Sequence, residues 1–90
     1  MPVTLKPVGK DAFEVTIQDN GTETSHFVTC SDRLLSVLAP SAKSKEAAIR
    51  AAFDFLLERE PKESILPRFD VSIIERYFPD FRSKLPAYLK

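Results

Sequence analysis

The fold of this chain is decided by residues 53–61, which read FDFLLEREP and form the end of a strongly apolar segment. Ser44 is a suitable N-cap and Pro61 cannot continue a helix, so the pattern predicts a main helix over about residues 45–60. At 100° per residue, its apolar side chains fill an arc of about 200°. One sheet face cannot cover that arc. The helix is therefore expected to pack against a sheet and also against the C-terminal segment or a second subunit.

A β-hairpin is predicted upstream of this helix, over about residues 12–30. Its first strand alternates apolar and polar side chains from Phe13 to Gln18, and Asn20-Gly21 suits the two-residue loop of a type I′ turn. Residues 3–5 can add a third strand, which a following proline would keep short or at the sheet edge. The loop sets a register in which one face is apolar and carries Phe13, Val15, Ile17, Val28 and Cys30.

Shorter helical segments complete the predicted fold. A helical turn is expected over about residues 32–38, and two C-terminal helices are expected over about residues 71–78 and 79–85, each bounded by a proline. The sequence thus predicts one α+β domain over residues 1–90. In it, a β-hairpin or short three-stranded antiparallel sheet packs against one main helix and shorter C-terminal helices.

Three parts of the chain, residues 55–61, 64–66 and 77–79, resemble a family of small bacterial proteins of unknown function. In that family a short hairpin precedes a helix that ends in the same way, and the resemblance covers residues 13 to 81. It implies a bacterial protein with the architecture above. It implies no activity and no site residue, because none is attached to the family.

Composition limits the classes of function. The formal net charge is zero, whereas proteins that neutralise nucleic-acid phosphates usually carry a basic excess. The single cysteine cannot form an intramolecular disulfide. No N-terminal run resembles a signal peptide, and no segment approaches the ~20 apolar residues that cross a bilayer. We therefore expect a cytoplasmic protein with no membrane partner.

The usual signatures of catalysis and cofactor binding are missing from the sequence. His26 and Cys30 lie on one predicted strand face about 13 Å apart, too far for a thiol–imidazole pair. His26 is expected at the edge of the core, with Cys30 as a small apolar filler. Gly9 and Gly21 are the only glycines, so no glycine-rich phosphate loop can form. We expect no catalytic residue, no bound cofactor and no metal.

Residues 58–63 form the densest polar cluster. Carboxylates in the last turn of a helix oppose the helix dipole and need cations nearby. The structural interpretation is an ion-pair network that ties the helix end to Arg68 or Arg76. The functional interpretation is a recognition surface, or a carboxylate whose pKa is raised for acid–base chemistry.

The leading functional hypothesis is a non-catalytic protein-interaction or self-associating module, with a homodimer or another protein as partner. It rests on the wide apolar arc of the main helix and on Phe27, which the register places on the polar face opposite Glu14. The alternative is a nucleic-acid-binding accessory protein that uses the hairpin or the basic C-terminal turn. An enzyme built on residues 58–63 ranks third. The candidate interaction surface comprises Phe27, Arg59, Glu60, Lys62, Tyr77 and Phe81.

Overall fold

The computed structural model describes residues 3–89, and it begins with three antiparallel strands, β1 (Val3–Pro7), β2 (Ala12–Asp19) and β3 (Thr22–Thr29). Asn20 and Gly21 form the loop between β2 and β3, with φ of 52° and 78°. These positive values are those of a type I′ turn. The predicted hairpin register is confirmed, and β1 is the predicted third strand at the sheet edge.

Two helices follow the hairpin, α1 (Asp32–Leu38) and α2 (Lys45–Leu57). The Ser44 hydroxyl accepts a hydrogen bond from the third residue beyond it, as predicted for the N-cap of α2. However, α2 ends at Leu57 rather than near residue 60. The backbone amides of Arg59 and Glu60 both donate to the Leu56 carbonyl at 2.9 Å, so residues 58–60 form a tight turn.

A fourth strand, β4 (Arg68–Asp70), extends the sheet beyond the predicted antiparallel arrangement. It pairs in parallel with β3, with Val28 opposite Phe69, and the strand order is β1-β2-β3-β4. A parallel partner needs a long crossover connection, which the two helices provide here. The α+β class is therefore confirmed, with a mixed four-stranded sheet packed on one face by helices.

The C-terminal segment is more finely divided than the sequence predicts. Asp70 caps a 3₁₀ turn at Val71–Ile73, which leads directly into α3 (Ile74–Tyr77). The next helix, α4 (Phe81–Lys84), continues into a 3₁₀ turn at Leu85–Tyr88 that includes the proline expected to stop it. A further 3₁₀ turn at Lys62–Ser64 lies between α2 and β4.

The wide apolar surface of α2 is covered by the same chain on both sides. Towards the sheet, the Phe53 ring lies 5.9 Å from the Phe69 ring, centroid to centroid. Away from the sheet, the Phe55 ring meets Phe81 at 5.0 Å and Tyr88 at 5.8 Å in edge-to-face contacts. The C-terminal segment is thus the second packing partner of the main helix. Among the described residues, no helix is long and apolar enough to span a membrane.

Candidate functional site

An apolar groove of about 390 Å³ lies between the end of α2, the segment after it, β4 and α3. Leu66 is 43% exposed and Tyr77 is 66% exposed, which leaves large apolar surfaces open to solvent at its rim. Its apolar lining consists of Leu56, Ile65, Leu66, Phe69, Ile73, Ile74 and Phe78, and its polar lining consists of Glu60, Ser64 and Tyr77.

Glu60 is the one carboxylate in this lining. It is half-buried, and burial raises the pKa of its carboxyl group above the ordinary value of 4.5. No cation within residues 3–89 forms an ion pair with it. A carboxylate that packs beside apolar side chains loses part of its hydration. Without a nearby cation, nothing offsets the free energy of that loss. Glu60 therefore makes the groove attractive to a positive charge.

The groove contains few side chains that could take part in a chemical reaction. Its lining holds one carboxyl group and the hydroxyls of Ser64 and Tyr77, with neither histidine nor cysteine. Across residues 3–89, no three His, Cys, Asp or Glu side chains come together as metal ligands. The arrangement is suited to holding an apolar group and a cation side by side.

Arg59, expected at the interaction surface, is instead used in a network at the end of α2. Its guanidinium carbon lies 3.6 Å from the Phe55 ring centroid, and Nη1 donates to the Phe55 carbonyl at 3.0 Å and to the Tyr88 hydroxyl at 3.3 Å. The Tyr88 hydroxyl donates in turn to Glu58 Oε1 at 2.8 Å. The predicted network at the helix end therefore exists, but its partners are Tyr88 and Asp80 rather than Arg68 or Arg76.

Lys62, also expected at the surface, is buried, and this prediction is wrong. Its Nζ donates to Thr22 Oγ1 and to Glu63 Oε2, both at 2.6 Å. The hydrogen bond from Lys62 lowers the pKa of the Glu63 carboxyl group. The buried stem and the bond to Thr22 tie the segment after α2 to the start of β3, so Lys62 positions this segment.

Phe81 is likewise buried and does not lie at the candidate interaction surface, because its ring packs against Phe55 and covers the main helix. Phe27 lies on the outer face of the sheet, 36% exposed, with the Arg68 guanidinium carbon 5.1 Å from its ring centroid. Of the six residues predicted for the surface, the structure brings only Glu60 and Tyr77 together.

Sequence reasoning missed the contribution of Leu66. Ile65 and Leu66 directly precede Pro67, which disfavours helical backbone in the residue before it. Successive residues of an extended backbone project their side chains to opposite sides, so an apolar pair before a proline indicates one buried and one exposed side chain. In the structure Ile65 is buried and Leu66 is exposed, as such a segment requires.

His26 holds this groove-bearing segment in place. It is buried, with Nδ1 at 2.7 Å from the Leu66 carbonyl oxygen and Nε2 at 2.9 Å from the Thr24 hydroxyl. The carbonyl oxygen can only accept, so Nδ1 donates to it, while Nε2 and the Thr24 hydroxyl share a second hydrogen bond. Cys30 is buried separately, and burial raises the pKa of its thiol to about 11. Both side chains serve the core.

A second charged cluster lies at the opposite end of α2. Lys45 Nζ donates to Asp11 Oδ1 at 2.6 Å and lies 2.8 Å from Asp32 Oδ1. These two hydrogen bonds raise the pKa of Lys45, and the bond from Lys45 lowers the pKa of Asp32. In this cluster one ammonium group is shared by two carboxylates, and it joins the starts of β2, α1 and α2.

The basic C-terminal turn is also partly neutralised. Arg82 Nη2 lies 3.0 Å from Glu75 Oε1, and Lys84 Nζ lies 3.9 Å from Asp80 Oδ2. The nearby aromatic rings of Phe81 and Tyr88 pack against Phe55 rather than facing solvent as base-stacking platforms. The positive charge of this turn is thus partly paired within the chain, and nucleic-acid binding stays a prediction.

Comparisons of the chain with protein-family models, with curated proteins and with solved structures found no match. The resemblance of residues 55–61, 64–66 and 77–79 to a small bacterial family therefore stays a hypothesis. What the fold defines is a small α+β protein with a mixed four-stranded sheet and an apolar groove at the end of its main helix.

Proposed function

We propose that this protein is a non-catalytic protein-interaction module of the bacterial cytoplasm, and that its partner binds in the groove. The observation that supports the proposal is the pairing of an apolar groove with exposed Leu66 and Tyr77 at its rim. Exposed large apolar side chains around a concavity are typical of interaction sites, and tyrosine is enriched in their cores.

The groove supports this proposal better than the main helix does. The apolar arc of α2 that a second subunit could have covered is covered by the chain's own C-terminal segment. Self-association now depends on the groove or on Phe27 alone. A partner protein is accordingly the preferred occupant, and a second copy is the competing one.

The first experiment selects short peptides from a displayed random library against the purified protein. Leu66→Ser and Tyr77→Ser remove apolar surface at the rim without removing buried side chains. We expect selected peptides to bind the wild-type protein and to lose at least about tenfold in affinity with either variant, or about 1.4 kcal/mol. Failure to enrich any peptide, or an affinity for both variants equal to that for the wild-type protein, would contradict the proposal.

The matched control is Val37→Ser. Val37 is an apolar residue whose exposure, 49%, lies between those of Leu66 and Tyr77, but it lies on α1 and does not line the groove. It is expected to leave peptide affinity unchanged. Sedimentation across a dilution series separates the competing occupant, because a dimer that Leu66→Ser dissociates and Val37→Ser does not would place a second copy in the groove.

A further inference from the structure

We infer that the groove takes a segment of a partner protein that inserts one apolar side chain and places a lysine or arginine side chain against Glu60. The inference rests on the proposed function and specifies the chemistry of the partner. It follows from the charge of the groove, its size and the short strand beside it.

The charge of the groove is carried by Glu60 alone among the lining residues. The basic residues closest to Glu60 in the sequence make their contacts with other groups. Arg59 stacks on Phe55 and lies 3.9 Å from Asp80, and Lys62 is buried against Thr22. The groove therefore presents a half-buried negative charge, and the nearest basic side chains in sequence point to other partners. Burial also raises the pKa of Glu60, which is the mark of a carboxylate that a cation would stabilise.

The size of the groove fits a side chain better than a folded element. Its volume of about 390 Å³ lies at the low end of the ~300–1,000 Å³ range of ligand pockets. Leu56, Phe69 and Ile74 are among the apolar side chains of its lining. One apolar anchor with a neighbouring charge fills such a site, in the way that interface hot spots occupy pockets on their partners.

The strand next to the groove points to recognition by side chains. β4 is the last strand of the sheet order and spans only Arg68–Asp70. Very short edge strands are one way in which proteins limit strand addition. Backbone pairing with β4 can therefore contribute few hydrogen bonds. The specificity of binding is therefore determined by the apolar anchor and by the cation that pairs with Glu60.

The same charge disfavours other occupants. A nucleic-acid backbone would bring phosphates towards Glu60, which is repulsive. An acidic peptide would meet the same repulsion. A basic residue next to an apolar anchor is the combination that leaves no buried charge unpaired.

The test uses synthetic, N-terminally acetylated peptides that contain one Leu, Phe or Tyr in a Gly/Ser background. Each peptide carries Lys, Gln or Glu at one of the positions flanking the anchor. We expect the best Lys peptide to bind the wild-type protein about tenfold more tightly than its Gln counterpart, with Glu weakest. Glu60→Gln is expected to abolish the Lys preference while the apolar anchor still binds.

The control for this test is Glu46→Gln, which removes an exposed carboxylate at the start of α2, outside the groove lining. It should keep the Lys preference. Binding that Leu66→Ser weakens but that shows no Lys preference would overturn this inference and leave the proposed function standing. Absence of binding by every peptide to the wild-type protein would count against both. A groove occupied by a second copy would overturn the inference.

Discussion

Arg59 covers the ring of Phe55, with its guanidinium carbon 3.6 Å from the ring centroid, and also donates to the Phe55 carbonyl at 3.0 Å. One side chain thus satisfies an end carbonyl of α2 and covers an aromatic ring on the same residue. Since its Nη1 also reaches the Tyr88 hydroxyl, Arg59 joins the end of α2 to the C-terminal segment.

Arg59→Lys is expected to lower the free energy of unfolding by about 1–2 kcal/mol, because lysine lacks the planar fork that makes these contacts together. Urea unfolding followed by circular dichroism measures the change. The control is Arg33→Lys on the exposed surface of α1, which is expected to stay within about 0.5 kcal/mol of the wild-type protein. A similar cost for both variants would contradict the role assigned to Arg59.

Phe81→Ala is expected to destabilise the protein by about 3–5 kcal/mol, because it leaves a cavity beside Phe55. Phe27→Ala makes the same chemical change on the outer sheet face, where the ring is 36% exposed, and should cost about 1 kcal/mol or less. Thermal or urea unfolding of the two variants compares them directly. If Phe27→Ala proved as costly as Phe81→Ala, the assignment of one ring to the core and the other to the surface would be wrong.

Glu60→Gln is expected to stabilise the protein at neutral pH. Burial raises the pKa of Glu60 in the folded state, so its ionisation costs stability as pH rises through 4.5 towards the folded value. Below pH 4.5 the carboxyl group is protonated in both states and the cost disappears. The difference between Glu60→Gln and the wild-type protein should therefore be present at pH 7 and absent near pH 3.5, as measured by urea unfolding at each pH.

Glu63→Gln is the control of opposite sign. The hydrogen bond from Lys62 lowers the pKa of Glu63, so this carboxylate contributes stability above pH 4.5 that is lost as pH falls through the lower folded value. Its replacement should destabilise the protein at pH 7 and have less effect in acid. Two variants with the same sign at pH 7 would contradict the environments described for these carboxylates.

The Cys30 thiol is expected to resist alkylation in the folded protein. Burial raises its pKa from 9.0 to about 11, which lowers the thiolate fraction at pH 8 about 100-fold, and burial also blocks the reagent. Labelling with iodoacetamide, followed by mass spectrometry, should be at least that much slower in buffer than in urea. Val37→Cys in a Cys30→Ala background supplies an exposed thiol for comparison, and equal rates for the two would contradict the burial of Cys30.

Local signals in the sequence were sufficient for the hairpin and insufficient for β4. Asn20 and Gly21 fix the register of β2 and β3 because the turn and the alternating side chains are adjacent in the chain. β4 has three residues and a parallel partner some forty positions away in the sequence. Neither an alternation of apolar and polar side chains nor an adjacent turn therefore predicts it. Ser44 as a cap was equally local, and that prediction is confirmed.

The candidate site was predicted only in part, because burial of long or aromatic side chains depends on tertiary contacts. Lysine is usually a surface residue, but the start of β3 lies close enough for the Lys62 Nζ to donate to Thr22. Phe81 follows a proline in a polar segment, yet the C-terminal segment folds back onto α2. Glu60 and Tyr77 were both expected at a surface, but only the structure shows that they share one groove.

The pairing of β3 with β4 has a consequence for the order in which the strands pair during folding. The contacts of β4 and its preceding segment, from His26 to Leu66 and from Thr29 to Asp70, close loops of 40 and 41 residues. The hairpin closes a much shorter loop and carries a smaller entropic cost, so we expect it to form first and the groove to assemble last. Pulse-labelled hydrogen exchange during refolding should protect β2 and β3 before β4. The groove is thus the last part of the molecule to become available to a partner on a newly made chain.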